Sequence, residues 1–223
     1  MYDVVKNLEE VLASLPPGVQ LVAISKYHPK EYIEAAYAKG QRLFGESHEQ
    51  ELRQKHIDLP KDIRWHFIGH LQTNKAKYIV PYVSMIEAVD SLKLLQEINK
   101  QAAKVGRTID VLLELHIAQE DTKYGMTPDE VCRLLDDEEW RQMENVRICG
   151  LMMMASNIDD RQQIAREFAT ANKLFNDIKA KYFKGDEYFR CKSWGMSDDY
   201  DIACAEGSNM VRIGTKIFGP RIY

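Results

Sequence analysis

The stretch PPGVQLVAISKYHPKEYIEAAYAKG, residues 16–40, decides how the rest of the chain is read. Pro16-Pro17-Gly18 breaks the chain, residues 19–25 form an apolar run of strand length, and Lys26 follows directly. Pro29 then suits the first turn of a helix that runs to about Lys39, where Gly40 supplies the stop. The same strand-then-helix pattern recurs. Further strands are expected at residues 41–45, 64–69, 85–89, 110–116, 147–152, 188–193 and 210–214. The clearest helices between them are expected at 91–105, 127–136 and 159–184. Ser91 and Thr127 read as N-caps, and Thr127 is followed by Pro128 at the first helical position and by Glu130 to complete a capping box. Within residues 1–15, Val4, Val5, Leu8, Val11, Leu12 and Leu15 lie at helical spacing.

Strands alternating with helices imply a parallel sheet. Eight such units predict an α/β fold, a single (β/α)8 TIM-type barrel with an extra N-terminal helix, spanning residues 1–223 as one domain. An open doubly wound sheet has the same periodicity and is the structural competitor.

The chain has 223 residues, is 45% hydrophobic and 29% charged, and carries a net charge of -4. That composition is ordinary for a globular protein and gives no basic surface for nucleic acid or anionic membrane. The N-terminal segment has neither the basic start nor the continuous apolar core of a signal peptide, and no stretch reaches the length of a membrane helix. Cys132, Cys149, Cys191 and Cys204 are scattered without a C-x-x-C pair, which fits a reducing cytoplasm and argues against zinc or dithiol chemistry.

In a barrel, the residues that follow each strand build the functional face. Here they include Lys26, Ser47, His66, Met152, Ser197 and the run Arg212-Ile213-Gly214-Thr215. A strand-end lysine more often snorkels to water. Desolvated, the same amine has a lowered pKa and attacks aldehydes. Gly214 and Thr215 stand where barrels often bind phosphate through backbone N–H groups, and Ser197 in the preceding loop offers a second hydroxyl.

Together these residues resemble the pyridoxal phosphate homeostasis protein family, whose members are barrels similar to the N-terminal domain of alanine racemase. The matching segments, in order, are Leu21-Val22-Ala23-Ile24-Ser25-Lys26, Phe44-Gly45-Glu46, Trp65-His66-Phe67-Ile68-Gly69 with Leu71-Gln72-Thr73-Asn74-Lys75, and Val89-Asp90-Ser91. They continue with Gly150-Leu151-Met152, Gly195-Met196-Ser197-Asp198-Asp199, and residues 210–215 with Ile217-Phe218-Gly219. The resemblance implies pyridoxal 5′-phosphate (PLP) as cofactor, held as a Schiff base on Lys26, with Ser197, Gly214 and Thr215 on its phosphate. It also implies that Arg212 faces the pyridine nitrogen, where a fixed cation disfavours ring protonation and makes the ring a poorer electron sink. Ser47, His66 and Met152 complete the expected cofactor surroundings. Two positions depart from the family pattern: Ser47 where asparagine is usual, and Trp194 where methionine is usual, a larger body expected beside the phosphate loop.

The implied function is a PLP carrier that serves vitamin B6 and amino-acid homeostasis without robust turnover. The alternative is an amino-acid racemase of the alanine racemase type. Such racemases need a second base from a further domain of a partner subunit, and the chain is expected to lack one. An open cofactor face would let an apo PLP-dependent enzyme capture the cofactor, so such enzymes are the expected protein partners of a monomeric chain. His66 and His70 share the spacing of helical metal ligands but fall on a strand end and past Gly69, with no carboxylate to complete a site, so no metal is expected. The run Met152-Met153-Met154 reads as core packing, and Lys75 and Lys77 as a solvated helix face. Glu114 and His116 share one face of a strand, and the sequence leaves open whether that face is the barrel interior.

Overall fold

The computed structural model describes residues 3–117 and 124–221. α1 (Val4–Ser14) precedes β1 (Gln20–Ile24), α2 (Lys30–Ala38), β2 (Leu43–Glu46), α3 (Glu49–Asp58) and β3 (Arg64–Phe67). α4 (Ala76–Ile79), β4 (Met85–Val89), α5 (Leu92–Lys104), β5 (Ile109–Leu115) and α6 (Pro128–Asp136) follow. β6 (Val146–Met153), α7 (Arg161–Tyr182), β7 (Cys191–Ser193), α8 (Tyr200–Ala205), β8 (Met210–Ile213) and α9 (Thr215–Phe218) complete the order. The eight strands close in sequence order, all parallel, with β1 paired to both β2 and β8. The open-sheet alternative is thereby excluded.

Alternation along each strand separates two apolar regions. Outward residues such as Phe44, Trp65, Ile86, Leu113 and Val211 join the helices in one large cluster. Inward residues form two smaller patches, Val22, Ile24, Leu43 and Met210 on one side and Met85, Ala88, Leu112, Cys149 and Met152 on the other. Met152 is therefore barrel lining, and Met153 packs outward on the helix layer.

The caps form as the sequence predicts. Ser91 accepts from the Leu94 N–H, and Thr127 and Glu130 make a full capping box. Gly40, at φ +95, takes the left-handed turn after α2. Five strands are shorter than expected, β1, β2, β3, β7 and β8, and two of them have a visible cause. β7 begins at Cys191 rather than residue 188 because Phe189 is drawn out to stack on Phe183 and Phe175, at 4.1 and 4.8 Å. β3 ends at Phe67 because the chain at Gly69 presses against Ser47, where a Cβ would lie 2.5 Å from a carbonyl oxygen. Residues 1 and 2 of the expected N-terminal helix lie outside the described residues; the rest form α1, which packs against α9 and α2. Among the described residues, no helix is long and apolar enough to cross a membrane.

Candidate functional site

The C-terminal ends of all eight strands open on one mouth. Val22 and Ile24 face the interior, so Lys26, two residues further on, continues their phase. Burial lowers the pKa of its amine, Arg221 and Arg212 push it the same way, and Glu46 and Glu51 oppose them. Tyr27 leaves the strand at φ +63, a left-handed conformation that costs an L-residue on the order of 1 kcal/mol. Its N–H donates to Glu51 Oε1 at 2.7 Å, which fixes the turn that sets Lys26 at the mouth. β8 ends beside β1: a Cβ on Gly214 would stand 3.0 Å from the Ile24 carbonyl oxygen. Thr215 then opens α9 with its side chain exposed, and the first N–H groups of a helix lack intrahelical partners.

Beneath the mouth lie two buried charge networks. In the first, Lys55 from α3 donates to Glu46 Oε1, Glu51 Oε1 and the Ser25 carbonyl at 2.7–2.8 Å. The Ser25 hydroxyl also donates to Glu46, at 2.6 Å. Burial still pushes the Glu46 carboxyl up to about 7, against the pull of Lys55, and its second oxygen has no partner among the described residues. In the second network, Glu87 on β4 is the hub. His66 Nδ1 lies 2.5 Å from Glu87 Oε1, and Ser193 Oγ donates to Oε2 at 2.5 Å. Arg212 Nη1 stands 4.0 Å from the same carboxylate. Burial alone would raise the Glu87 pKa, but His66, Arg212 and Ser193 outweigh it and hold the group ionised. Arg212 is itself fixed, donating to Ser193 O and Oγ at 2.6 and 2.8 Å and to Met153 O at 2.8 Å. It is a buried cation that cannot swing away.

Glu114 settles the question left open by the sequence: it shares the interior face with Leu112 and is 3% exposed. Burial, with help from Asp90, raises its carboxyl to about 7, and Oε2 has no partner among the described residues. A carboxyl with a raised folded-state pKa stabilises the fold below its ordinary 4.5 and loses that contribution as pH rises through about 7. Glu114→Gln should therefore unfold at a higher temperature than wild type at pH 8, by the equivalent of roughly 1–3 kcal/mol. The gain should vanish at pH 4.5. Equal differences in melting temperature at the two pH values would show that folding leaves the Glu114 pKa unshifted.

The structure brings Lys26, Arg212 and Gly214 together at adjoining strand ends. Ser197 sits half-buried in the loop before α8, and Ser47 half-buried at the end of β2, with Oγ 3.3 Å from His48 Nδ1. His66 lies deeper, bonded to Glu87, and Met152 is nearly fully buried among lining residues. Trp194, directly before the loop that carries Ser197, is fully buried and meets Phe175 of α7 edge-on at 6.5 Å, so its side chain belongs to the helix layer. Lys75 is not simply solvated either; it reaches Glu49 at 3.6 Å. The hub Glu87 was missed, although a lone glutamate inside the apolar run Met85–Val89 is itself a signal. Among the described residues, no group of three or more His, Cys, Asp or Glu side chains could hold a metal ion.

Residues 3–221 match the family described as the alanine racemase N-terminal domain. A pyridoxal phosphate homeostasis protein from Aquifex aeolicus is 35% identical, the match covering 92% of this chain and 88% of that one. One from Vibrio alginolyticus is 33% identical across the whole of both. Among solved structures, PipY of Synechococcus elongatus PCC7942, with PLP bound, superposes with a TM-score of 0.89 at 34% identity, covering 97% of this chain and all of that one. D-threonine aldolase from Filomicrobium marinum shares the fold, with a TM-score of 0.74 at 16% identity. By the profile over nearly its whole length and by these relatives, the chain belongs to the pyridoxal phosphate homeostasis protein family.

Proposed function

We propose that this protein binds PLP covalently through the Lys26 amine and acts as a carrier in vitamin B6 homeostasis. The observation that carries the reading is Lys26 itself, an interior-phase lysine at the barrel mouth whose pKa is lowered by burial and by two arginines. A larger neutral fraction makes that amine a better nucleophile toward an aldehyde. The residues around it suit the rest of the cofactor. Gly214 leaves the end of β8 free of a side chain where the backbone passes Ile24, and the start of α9 with the Thr215 and Ser197 hydroxyls would hold the phosphate.

Bound PLP supplies an aldehyde that condenses reversibly with amines and a ring able to withdraw electrons. Arg212 bears on the second property. Anchored by two backbone carbonyls, it would present a fixed positive charge to the pyridine nitrogen and keep a proton off it. That supports storage over carbanion chemistry. The relatives' shared name points the same way.

The test is the visible absorbance of the purified protein after PLP is added and excess removed, beside Lys26→Ala. The wild type should retain a band that the variant lacks entirely. A band of equal size in both proteins would remove Lys26 from the proposal.

A further inference from the structure

The barrel has a second mouth. At the N-terminal ends of the strands a cavity of about 590 Å³ opens, within the range of pockets that hold small molecules. Its wall includes Gln20, six residues before Lys26, which places it roughly 20 Å along the strand direction from the candidate PLP site. Strand period explains what faces it. Arg64 stands two residues before His66 on β3, and Arg147 two before Cys149 on β6, so both share the interior face.

The charges there do not balance. Arg147 is satisfied by Asp110, at 2.6–2.7 Å. Arg64 and Arg190 also line the cavity and form no ion pair among the described residues. Three arginines thus meet two carboxylates, Asp110 and Glu187, in a chain whose net charge is -4. Exposed arginines alone would be ordinary solvated side chains. A buried group makes the difference: His66 is 5% exposed and lines the cavity, its Nδ1 is taken by Glu87, and its Nε2 has no partner among the described residues. With Nδ1 held on Glu87, the other ring nitrogen of this nearly buried side chain is the one left to meet a ligand in the cavity. Met85 and Met210 supply an apolar surface beside it.

We propose that this mouth is a second binding site, for a small organic oxyanion whose carboxylate or phosphate pairs with Arg64 and Arg190 and whose body reaches His66. The two sites are linked by touching groups, since the same His66 holds Glu87, which meets Ser193 and Arg212 under the PLP mouth.

The experiment titrates inorganic phosphate and succinate separately by calorimetry at fixed ionic strength. The proteins are the wild type, the Arg64→Ala/Arg190→Ala double variant and Lys26→Ala. Both arginines are exposed, so the double variant should fold, and circular dichroism checks it. Removing two charge-assisted contacts should weaken the better of the two probes about tenfold or more, and Lys26→Ala should leave it unchanged. Which probe binds tighter identifies the head group. In wild type, that probe should also shift the ¹⁵N resonances of the His66 ring. The proposal fails if neither probe binds the wild type, if the double variant binds as tightly, or if His66 does not respond. None of these readouts depends on PLP, so loss of the Lys26 reading would leave this test intact.

Discussion

Gly150→Ala should leave little folded protein. Gly150 lies on β6 at φ +154, just past an irregularity in its pairing with β5, and faces Cys191 across the β6–β7 ladder. A Cβ there would sit 1.9 Å from the Cys191 carbonyl oxygen and 2.9 Å from its nitrogen. Both are backbone atoms of the neighbouring strand, so no rotamer change relieves the clash. β7 has three residues and meets β8 through a single aligned pair, Ser193 with Met210. Pushing β7 outward therefore opens the barrel at its thinnest seam. The expected cost is about 4 kcal/mol or more, much of the stability of an ordinary domain. Gly106→Ala is the control. Gly106 is at φ +64 with nothing within 4 Å of a built Cβ, so only the backbone preference is lost, on the order of 1 kcal/mol. Urea midpoints of the two variants, or the soluble yield of the first, check the contrast. Similar midpoints would mean that the β6–β7 seam yields easily.

That seam shows what a sequence conceals. The eight strands were legible because apolar runs and their turn residues are local features, and closure followed from their number. The placement of Lys26, Gly214 and Thr215 just past strand ends was legible because they follow apolar runs directly. The polar interior was not. Glu46, Lys55 and Ser25 belong to different elements and become one network only after folding, and α3 was hard to see because its run of charged residues hides a buried Leu52 and Lys55. The side on which Trp194 packs was not legible, because only the fold shows that its neighbour Ser193 faces inward to Glu87. In a strand, one residue of phase decides between pocket and core.

Arg212→Ala is expected to destabilise the protein by about 3–5 kcal/mol, because it leaves Glu87 buried with its nearest fixed cation gone. It also frees the Ser193 and Met153 carbonyls that the guanidinium ties together across β7 and β6. Two further variants separate these causes. Arg212→Met keeps most of the volume and removes only the charge and its hydrogen bonds, so any gain over Arg212→Ala measures packing. Adding Glu87→Gln to Arg212→Met removes the stranded carboxylate while leaving an amide for His66 and Ser193 to bond. If electrostatics dominate, that pair should recover more than half of the loss in thermal melts at pH 7.5, although Glu87→Gln alone should destabilise the wild type. No recovery would mean that the carbonyl contacts, which hold three strands at the mouth, carry most of the arginine's contribution. The placement of Arg212 favours the electrostatic result. Its guanidinium lies between one ionised carboxylate and the backbone of two strands, with 4% of the residue exposed, and a buried charge so placed costs most when its partner is removed.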